Sequence, residues 1–362
     1  MTESQLKNMI ASFKIDGEIV SCVPYGDGHI NDTYLLTTTE QKYILQKINT
    51  SIFSDVDLLM NNINYVLDFM REKITAYGGN PDRETMTLVP TVDGKTYYML
   101  GNDAYRTYIY IDDTISLSKA ENEEHFYQSG VGFGRFARLL DGFDASKIKD
   151  VIPFFHDTPV RYEAFIKAVE ADAFGRKKEV EKEIEFVKAR RGFMDKIVKA
   201  LALGEIPTRV THNDTKLNNV LLDKESGKAV AVIDLDTVMQ GSVCYDFGDS
   251  VRFGCSTATE DEVDLDKVHF SLSLFDVYCR GFIGEMKSVL TQKEAELLPI
   301  GSIMMTLECG MRFLTDYLSG DTYFKIHREK HNLDRCRTQF KLVAEMEEAL
   351  EKMHDTVEKY FN

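Results

Sequence analysis

The sequence predicts an α+β fold in two parts, a small antiparallel sheet followed by a mainly helical remainder. Three observations carry this. Short apolar and aromatic runs separated by Gly and Asp turns fill roughly the first third of the chain. From about Ser116 onward, apolar residues recur at helical spacing. One island of strand character, residues 208–233, interrupts the helices and is bordered by polar residues.

Each element has its own local cause. Residues 21–24 and 34–37 flank a Gly26-Asp27-Gly28 tip and read as a hairpin, because Gly supplies the positive φ that tight turns need. Residues 42–48 form the next strand. Ser54 or Asp55 caps a helix running to about Arg71, with Leu58, Leu59, Ile63, Val66, Leu67 and Met70 on one stripe. Strands over 88–92 and 96–100 join at Asp93-Gly94, and a further strand over 105–111 ends at Asp112-Asp113. Helices are then expected over 121–140, 161–173, 179–203, 267–282, 293–319 and 335–360.

Composition bounds the function. The 362 residues carry 43 basic and 59 acidic side chains, a net charge of −16, which makes the chain a poor candidate for phosphate-backbone binding built on clustered Lys and Arg. At 43% hydrophobic and 28% charged, the chain is globular and not disordered or fibrous. The six cysteines, at 22, 244, 255, 279, 309 and 336, show no CxxC spacing and read as reduced thiols, with zinc binding or disulfides as the alternative. The N-terminus lacks a basic and apolar leader, and no run reaches ~18 consecutive apolar residues, so neither a signal peptide nor a membrane span is expected. A cytoplasmic protein, monomeric or a weak homo-oligomer, with no nucleic-acid or membrane partner, is the expectation.

The chemistry concentrates in the strand island. The loop His212-Asn213-Asp214-Thr215-Lys216-Leu217-Asn218-Asn219 follows a strand, and twenty positions after Asp214 an apolar strand ends in Asp234-Leu235-Asp236. Phosphoryl transfer from ATP needs a carboxylate to accept the proton of the attacking hydroxyl, and an amide and second carboxylate to hold Mg²⁺. Asp214, Asn219 and Asp234 are the residue types and spacing that serve those needs. The plain alternative is a hydrogen-bonded, Asx-rich turn between strands.

This loop and strand resemble the aminoglycoside phosphotransferase and choline kinase family, which has a two-lobed, protein-kinase-like fold. The family's H-[GN]-D-x-x-x-x-N loop matches His212 to Asn219, and its I-D-[FLW]-[DE] strand matches Ile233 to Asp236. The resemblance runs from the Gly26 turn to the Tyr323 region. Within the family, residues 25–31, 211–219, 233–242 and 308–324 resemble bacterial N-acetylhexosamine 1-kinases. It implies Asp214 as catalytic base, Asn219 and Asp234 as Mg²⁺ ligands, and ATP as donor. It also implies a nucleotide-binding lobe over 1–107, a hinge over 108–113, and a catalytic and acceptor-binding lobe over 114–362.

Two look-alike motifs are set aside. Asp246-Phe247-Gly248 spells the protein-kinase metal motif but lies 32 residues past Asp214 and follows Tyr245 instead of an apolar strand, so Asp246 is expected to be a buried support for the catalytic loop. Gly130-Val131-Gly132-Phe133-Gly134 imitates a phosphate loop but sits in a helical pattern, where small residues permit close helix packing.

On the nucleotide side, Gly26 and Gly28 let backbone N–H groups approach phosphates, with Asn31 beside them. Kinases of this fold carry a Lys or Arg on the third strand paired with a helix Glu. The resemblance puts Gln46 at that position, and the helix offers Asn61, Asn62 and Asn64. Either amides replace both partners, or Lys47 substitutes from the opposite face. Residues 105–112 resemble the hinge that borders adenine, with Tyr108 or Tyr110 supplying backbone contacts.

On the acceptor side, Arg312 and Asp316 are four apart and share a helix face, with Tyr317, Asp321 and Tyr323 at its end. The resemblance reads these as a polar wall for sugar hydroxyls, with Tyr323 against the sugar and His29 reaching the acceptor from the Gly turn. The function expected is ATP- and Mg²⁺-dependent phosphorylation of the anomeric hydroxyl of N-acetylglucosamine or N-acetylgalactosamine. Rival readings keep the kinase but change the acceptor to choline, homoserine, methylthioribose or an aminoglycoside, or leave a non-catalytic nucleotide-binding protein. Arg312 argues against a cationic acceptor.

Overall fold

A computed structural model describes residues 3–26 and 30–362. The chain divides into two compact units, each taken by itself below. The first comprises residues 1–115, 146–152 and 221–239, and the second residues 116–145, 153–220 and 240–362.

The first unit is built on a five-stranded antiparallel sheet of β1 (Ile19–Pro24), β2 (Asp32–Thr38), β3 (Lys42–Ile48), β4 (Tyr98–Leu100) and β5 (Asp103–Ile109). Their spatial order is β1-β2-β3-β5-β4. The register places Gln46 of β3 opposite Thr33 of β2 on one side and Arg106 of β5 on the other. Leu36, Tyr43, Leu45 and Tyr105 form one core with Val89 and with Met9, Ile10 and Phe13 from the N-terminal segment. The helix Glu3–Ile10 that supplies Met9 and Ile10 is absent from the sequence-based expectation; its eight residues are too few for periodicity to mark.

The helix Val56–Ala76 begins where Asp55 accepts the Leu58 N–H at 2.9 Å. It buries Leu59, Met60, Ile63, Val66, Leu67, Met70 and Ile74, close to the expected stripe. The expected strand over 88–92 is not a regular strand. Pro90 has no N–H to give, and the segment makes isolated bridges at Leu88 to Tyr108 and Thr91 to Phe13. Leu222 and Asp223 pair with Ile115 and Thr114, which draws a distant stretch of sequence into this unit.

The second unit is helical, with Gln292–Leu318 at its centre packed by Val243–Gly254, His331–Glu348 and Thr158–Ala171. Gln292–Leu318 is long and apolar enough to cross a membrane by length and composition, yet 89% of its most apolar window is buried inside the protein. Glu123–Leu139 packs on Leu272–Met286. The contact is so close that a Cβ at Gly134 would sit 2.6 Å from the Phe282 carbonyl, and one at Gly130 2.8 Å from that of Tyr278. The Gly130–Gly134 run is therefore a packing surface, as its helical context indicates.

Two long helices expected from periodicity are broken. Residues 179–203 form Glu181–Ala189, a 3₁₀ turn at Arg191–Phe193, and Lys196–Ala202, because Gly192 weakens the middle. Residues 335–360 form His331–Glu348 and Leu350–Phe361, hinged at Ala349, where no Gly or Pro announces the break. The helix Val243–Gly254 went unpredicted. All six cysteines are free thiols, and four of them are buried.

Candidate active site

The loop expected to carry the chemistry leaves the short strand Arg209–Thr211. His212 is fully buried, with its ring edge-on to Phe133 and Phe136 at 5.4 and 5.6 Å. Its Nδ1 accepts the Asp214 N–H at 3.3 Å. Asn213 turns the chain in the left-handed region at φ 65°, a conformation Asn tolerates better than most residues. Beneath the turn lies Asp246, whose two carboxylate oxygens accept the His212 and Asn213 N–H groups at 2.8 Å each. Burial pushes the Asp246 carboxyl above its ordinary range, partly offset by His212 and these two N–H groups. The Asp-Phe-Gly sequence thus supports the loop from its helix, in the role its position predicts.

The next turn is held in the same way. Thr215 donates its hydroxyl to the Asp246 carbonyl at 2.7 Å and its N–H to Asp249 at 3.1 Å. Burial opposes the charge of Asp249, but Arg252 and Lys216 hold its carboxyl below the usual range. Asp214 projects from this braced segment with its side chain 28% exposed. Lys216 Nζ lies 2.7 Å from Asp214 Oδ1. Asn219, on the 3₁₀ turn Leu217–Asn219, donates from Nδ2 to the Asp214 carbonyl at 2.8 Å and to Asp214 Oδ2 at 3.2 Å. The amide oxygen therefore faces away from Asp214. Lys216 is a partner that the sequence reading passed over; its signal was its place two residues after the Asp.

Asp234 and Asp236 belong to the first unit. Asp234 ends the strand Ala229–Val232 and its flanking Ile233 in a left-handed conformation, φ 61° and ψ 65°, strain of a kind that collects at functional positions. Asp236 is 3% exposed and pairs with Arg106 at 2.5 Å. Asn31 donates to Asp236 Oδ2 at 2.6 Å, and its own Oδ1 accepts the Asn49 N–H at 3.0 Å. Arg106 also donates from Nε to Gln46 Oε1 at 3.0 Å, and Gln46 donates to Thr33 at 3.1 Å. Burial works against the Arg106 charge, but Asp236, Tyr108 and Asp234 keep the guanidinium firmly protonated.

These contacts correct the expected amide pair. Asn62 is buried and turned elsewhere, donating to the Lys149 and Val238 carbonyls at 2.7 and 3.2 Å. Lys47 pairs with Asp103 at 2.9 Å on a partly exposed face. The buried cation beside Gln46 is Arg106, which the sequence reading did not single out. Its signal was an Arg set between Ala104, Tyr105, Tyr108 and Ile109 in one strand.

Gly26 adopts φ 75°, as its turn requires; Gly28 and His29 lie outside the described residues. The Tyr110 N–H is bonded to the Lys42 carbonyl at 3.0 Å, and its hydroxyl meets that of Tyr25 at 3.3 Å. Tyr108 is buried under the Arg106 guanidinium, 5.4 Å from its ring centre.

The proposed acceptor residues divide into two roles. Arg312 lies among the rings of Phe155, Phe324 and Tyr323, at 5.5, 5.5 and 5.9 Å from their centres. Tyr323 is 68% exposed. Asp316 is buried and accepts the N–H groups of Thr322, Tyr323 and Phe324 at 2.8 to 2.9 Å, and Asn332 Nδ2 at 2.8 Å. It shapes the loop that presents Tyr323. Arg161 donates to the Phe155 carbonyl, and burial together with the nearby Arg312 lowers its pKa. Glu308 pairs with His156 at 2.9 Å; burial opposes its charge, but His156, Arg312 and Thr158 hold its carboxyl low.

A family model described as "Phosphotransferase enzyme family" matches residues 21–276. Among solved structures, the chain is similar to an aminoglycoside phosphotransferase from Alicyclobacillus acidocaldarius, with TM-score 0.58, 12% identity, and 98% and 96% of the two chains covered. It is also similar to a spectinomycin phosphotransferase in complex with ADP and spectinomycin, with TM-score 0.56, 14% identity, and 97% and 99% covered. An ethanolamine kinase from Plasmodium vivax matches with TM-score 0.53, 15% identity, and 92% and 83% covered. The fold is accordingly the α+β, protein-kinase-like fold of such enzymes, with an antiparallel-sheet N-terminal region and a helical C-terminal part.

Proposed function

Because the chain belongs to the phosphotransferase enzyme family, we propose that it transfers the γ-phosphoryl group of ATP to the anomeric hydroxyl of an N-acetylhexosamine. The observation that carries this reading is the braced Asp214. Its backbone is fixed through Asp246 and Thr215, and its carboxylate is oriented by Asn219.

In the proposed reaction Asp214 accepts the proton of the C1 hydroxyl as that oxygen bonds to the γ-phosphorus. The bond from the γ-phosphorus to the β,γ-bridging oxygen breaks, and ADP leaves with those electrons. An anomeric hydroxyl is more acidic than an ordinary alcohol, which eases the demand on the base. A divalent cation is implied by this chemistry. The Asp234 carboxylate and the Asn219 amide oxygen are hard oxygen donors of the type Mg²⁺ prefers, and we assign them to it. Bound there, Mg²⁺ supplies neutralisation of charge on the phosphates.

The acceptor assignment leans on Arg312 and its aromatic surround. A guanidinium donates to sugar hydroxyls and to an acetamido carbonyl, and the Tyr323 ring offers a face to apolar sugar C–H groups. The same charge, with Arg161 near it, disfavours a protonated amine such as ethanolamine, the substrate named for one structural neighbour.

The test is ADP release across a panel of N-acetylglucosamine, N-acetylgalactosamine, ethanolamine, choline, homoserine, methylthioribose and an aminoglycoside. Turnover confined to the N-acetylhexosamines is expected. Faster turnover on an amine would replace the acceptor assignment. Nucleotide binding with no turnover on any acceptor would leave a non-catalytic binding protein.

A further inference from the structure

The third strand of the sheet carries an amide, Gln46, where kinases of this fold carry a cation. The cation has not been lost. Gln46 and Arg106 stand opposite each other across β3 and β5, and Arg106 Nε donates to Gln46 Oε1 at 3.0 Å. Arg106 is 1% exposed, so it is not a surface charge. Its Nη1 lies 2.5 Å from Asp236 Oδ1. Asp236 is itself buried, and Asn31 holds its other oxygen at 2.6 Å. Asp236 is two residues from Asp234, and the turn joining them starts from the left-handed backbone of Asp234. All of these residues lie in the first unit.

We propose that Arg106 is a positioning residue for the Asp234 turn, acting through Asp236 from the neighbouring strand. Three anchors meet at this point: Gln46 fixes the guanidinium, the guanidinium and Asn31 fix Asp236, and Asp236 fixes the strained turn that aims Asp234. An unpaired buried carboxylate would be costly, so Arg106 and Asn31 together hold Asp236 in place. A displaced cation of this kind acts on the group that receives Mg²⁺ and leaves metal-independent contacts to the nucleotide alone. The inference rests on the reading of Asp234 as a metal ligand.

The test is calorimetric titration of ADP into the full chain with and without Mg²⁺, with no sugar present. In Arg106→Gln the Mg²⁺-dependent gain in ADP affinity is expected to fall by roughly 10- to 100-fold, the usual cost of removing a residue that orients a metal ligand. Metal-free ADP affinity is expected to stay at the wild-type value. The double exchange Gln46→Arg with Arg106→Gln returns a cation to the facing position and is expected to recover much of the loss.

Equal weakening of ADP binding with and without Mg²⁺ would overturn the proposal, since Arg106 would then contact phosphate directly. An unchanged Mg²⁺ gain in Arg106→Gln would also overturn it. Should that variant fail to fold, Arg106→Lys keeps the buried charge but loses the forked geometry, and the same split between the two titrations decides. A wild-type chain that binds ADP without any Mg²⁺ effect would sink the metal-ligand reading and the proposal together, whereas failure on N-acetylhexosamines would touch only the acceptor assignment.

Discussion

Asn219 grips Asp214 twice, from one amide nitrogen to both the backbone carbonyl and the carboxylate of the same residue. A five-residue separation is closed into a ring, so these two hydrogen bonds together set the Asp214 carboxylate. Replacing Asn219 with Ala is expected to loosen the base and remove a metal donor together. Turnover should fall by roughly a hundredfold or more, with a raised Mg²⁺ requirement, measured by steady-state kinetics against Mg²⁺ concentration.

Asp214→Asn should lower kcat by about 10²- to 10⁴-fold, the usual contribution of a positioned general base. Asp214 is partly exposed and its Lys216 partner more so, and surface pairs contribute little to stability. The melting temperature should therefore barely move. Undiminished turnover would remove Asp214 from the mechanism.

Asp246 serves two buried N–H donors, and an Asn in its place offers only one acceptor oxygen. Asp246→Asn is expected to destabilise the protein by about 1–3 kcal/mol in denaturant unfolding, and to lower kcat because the loop carrying Asp214 shifts. A stable variant with normal kcat would mean that the loop holds itself.

Arg312→Ala is expected to raise KM for the sugar by roughly tenfold or more, the scale of a charged hydrogen bond, while KM for ATP stays near the wild-type value. An effect on ATP instead would place Arg312 on the nucleotide side.

Asp223 gives a pH signature. The Ser226 N–H and hydroxyl, with Arg83 and the Glu225 N–H, hold its carboxyl down to about 2. A depressed carboxyl stabilises the fold above its unfolded value of ~3.9, and that contribution is lost as pH falls through about 2. Asp223→Asn should melt lower than wild type near neutral pH, with the gap closing between ~pH 4 and ~pH 2. A gap independent of pH would show that the charge is not responsible.

The sheet-then-helix order, the hairpin around Gly26 and the His212–Asn219 loop were legible in the sequence, because each has a strong local signature: alternation, a Gly turn, or fixed spacing. The support role of Asp246 was legible too, from its distance to Asp214. What escaped was set by tertiary contact. Arg106 and Asp236 are sixty or more residues beyond Gln46 in the chain, and only the strand register shows that Arg106 stands opposite it. The helix break at Ala349 has no Gly or Pro to announce it, and Pro90 was the overlooked reason that residues 88–92 pair irregularly. Asp316 shows a further limit: helical spacing with Arg312 was visible, but its commitment to the Thr322–Phe324 backbone was not.

Transfer to the anomeric oxygen is tested most directly by a phosphorus NMR spectrum of the chain incubated with ATP, Mg²⁺ and N-acetylglucosamine or N-acetylgalactosamine. A new phosphomonoester signal coupled to the anomeric proton, growing with ADP and missing in Asp214→Asn, is expected. Phosphate on another carbon, or ATP left intact beside either sugar, would contradict it.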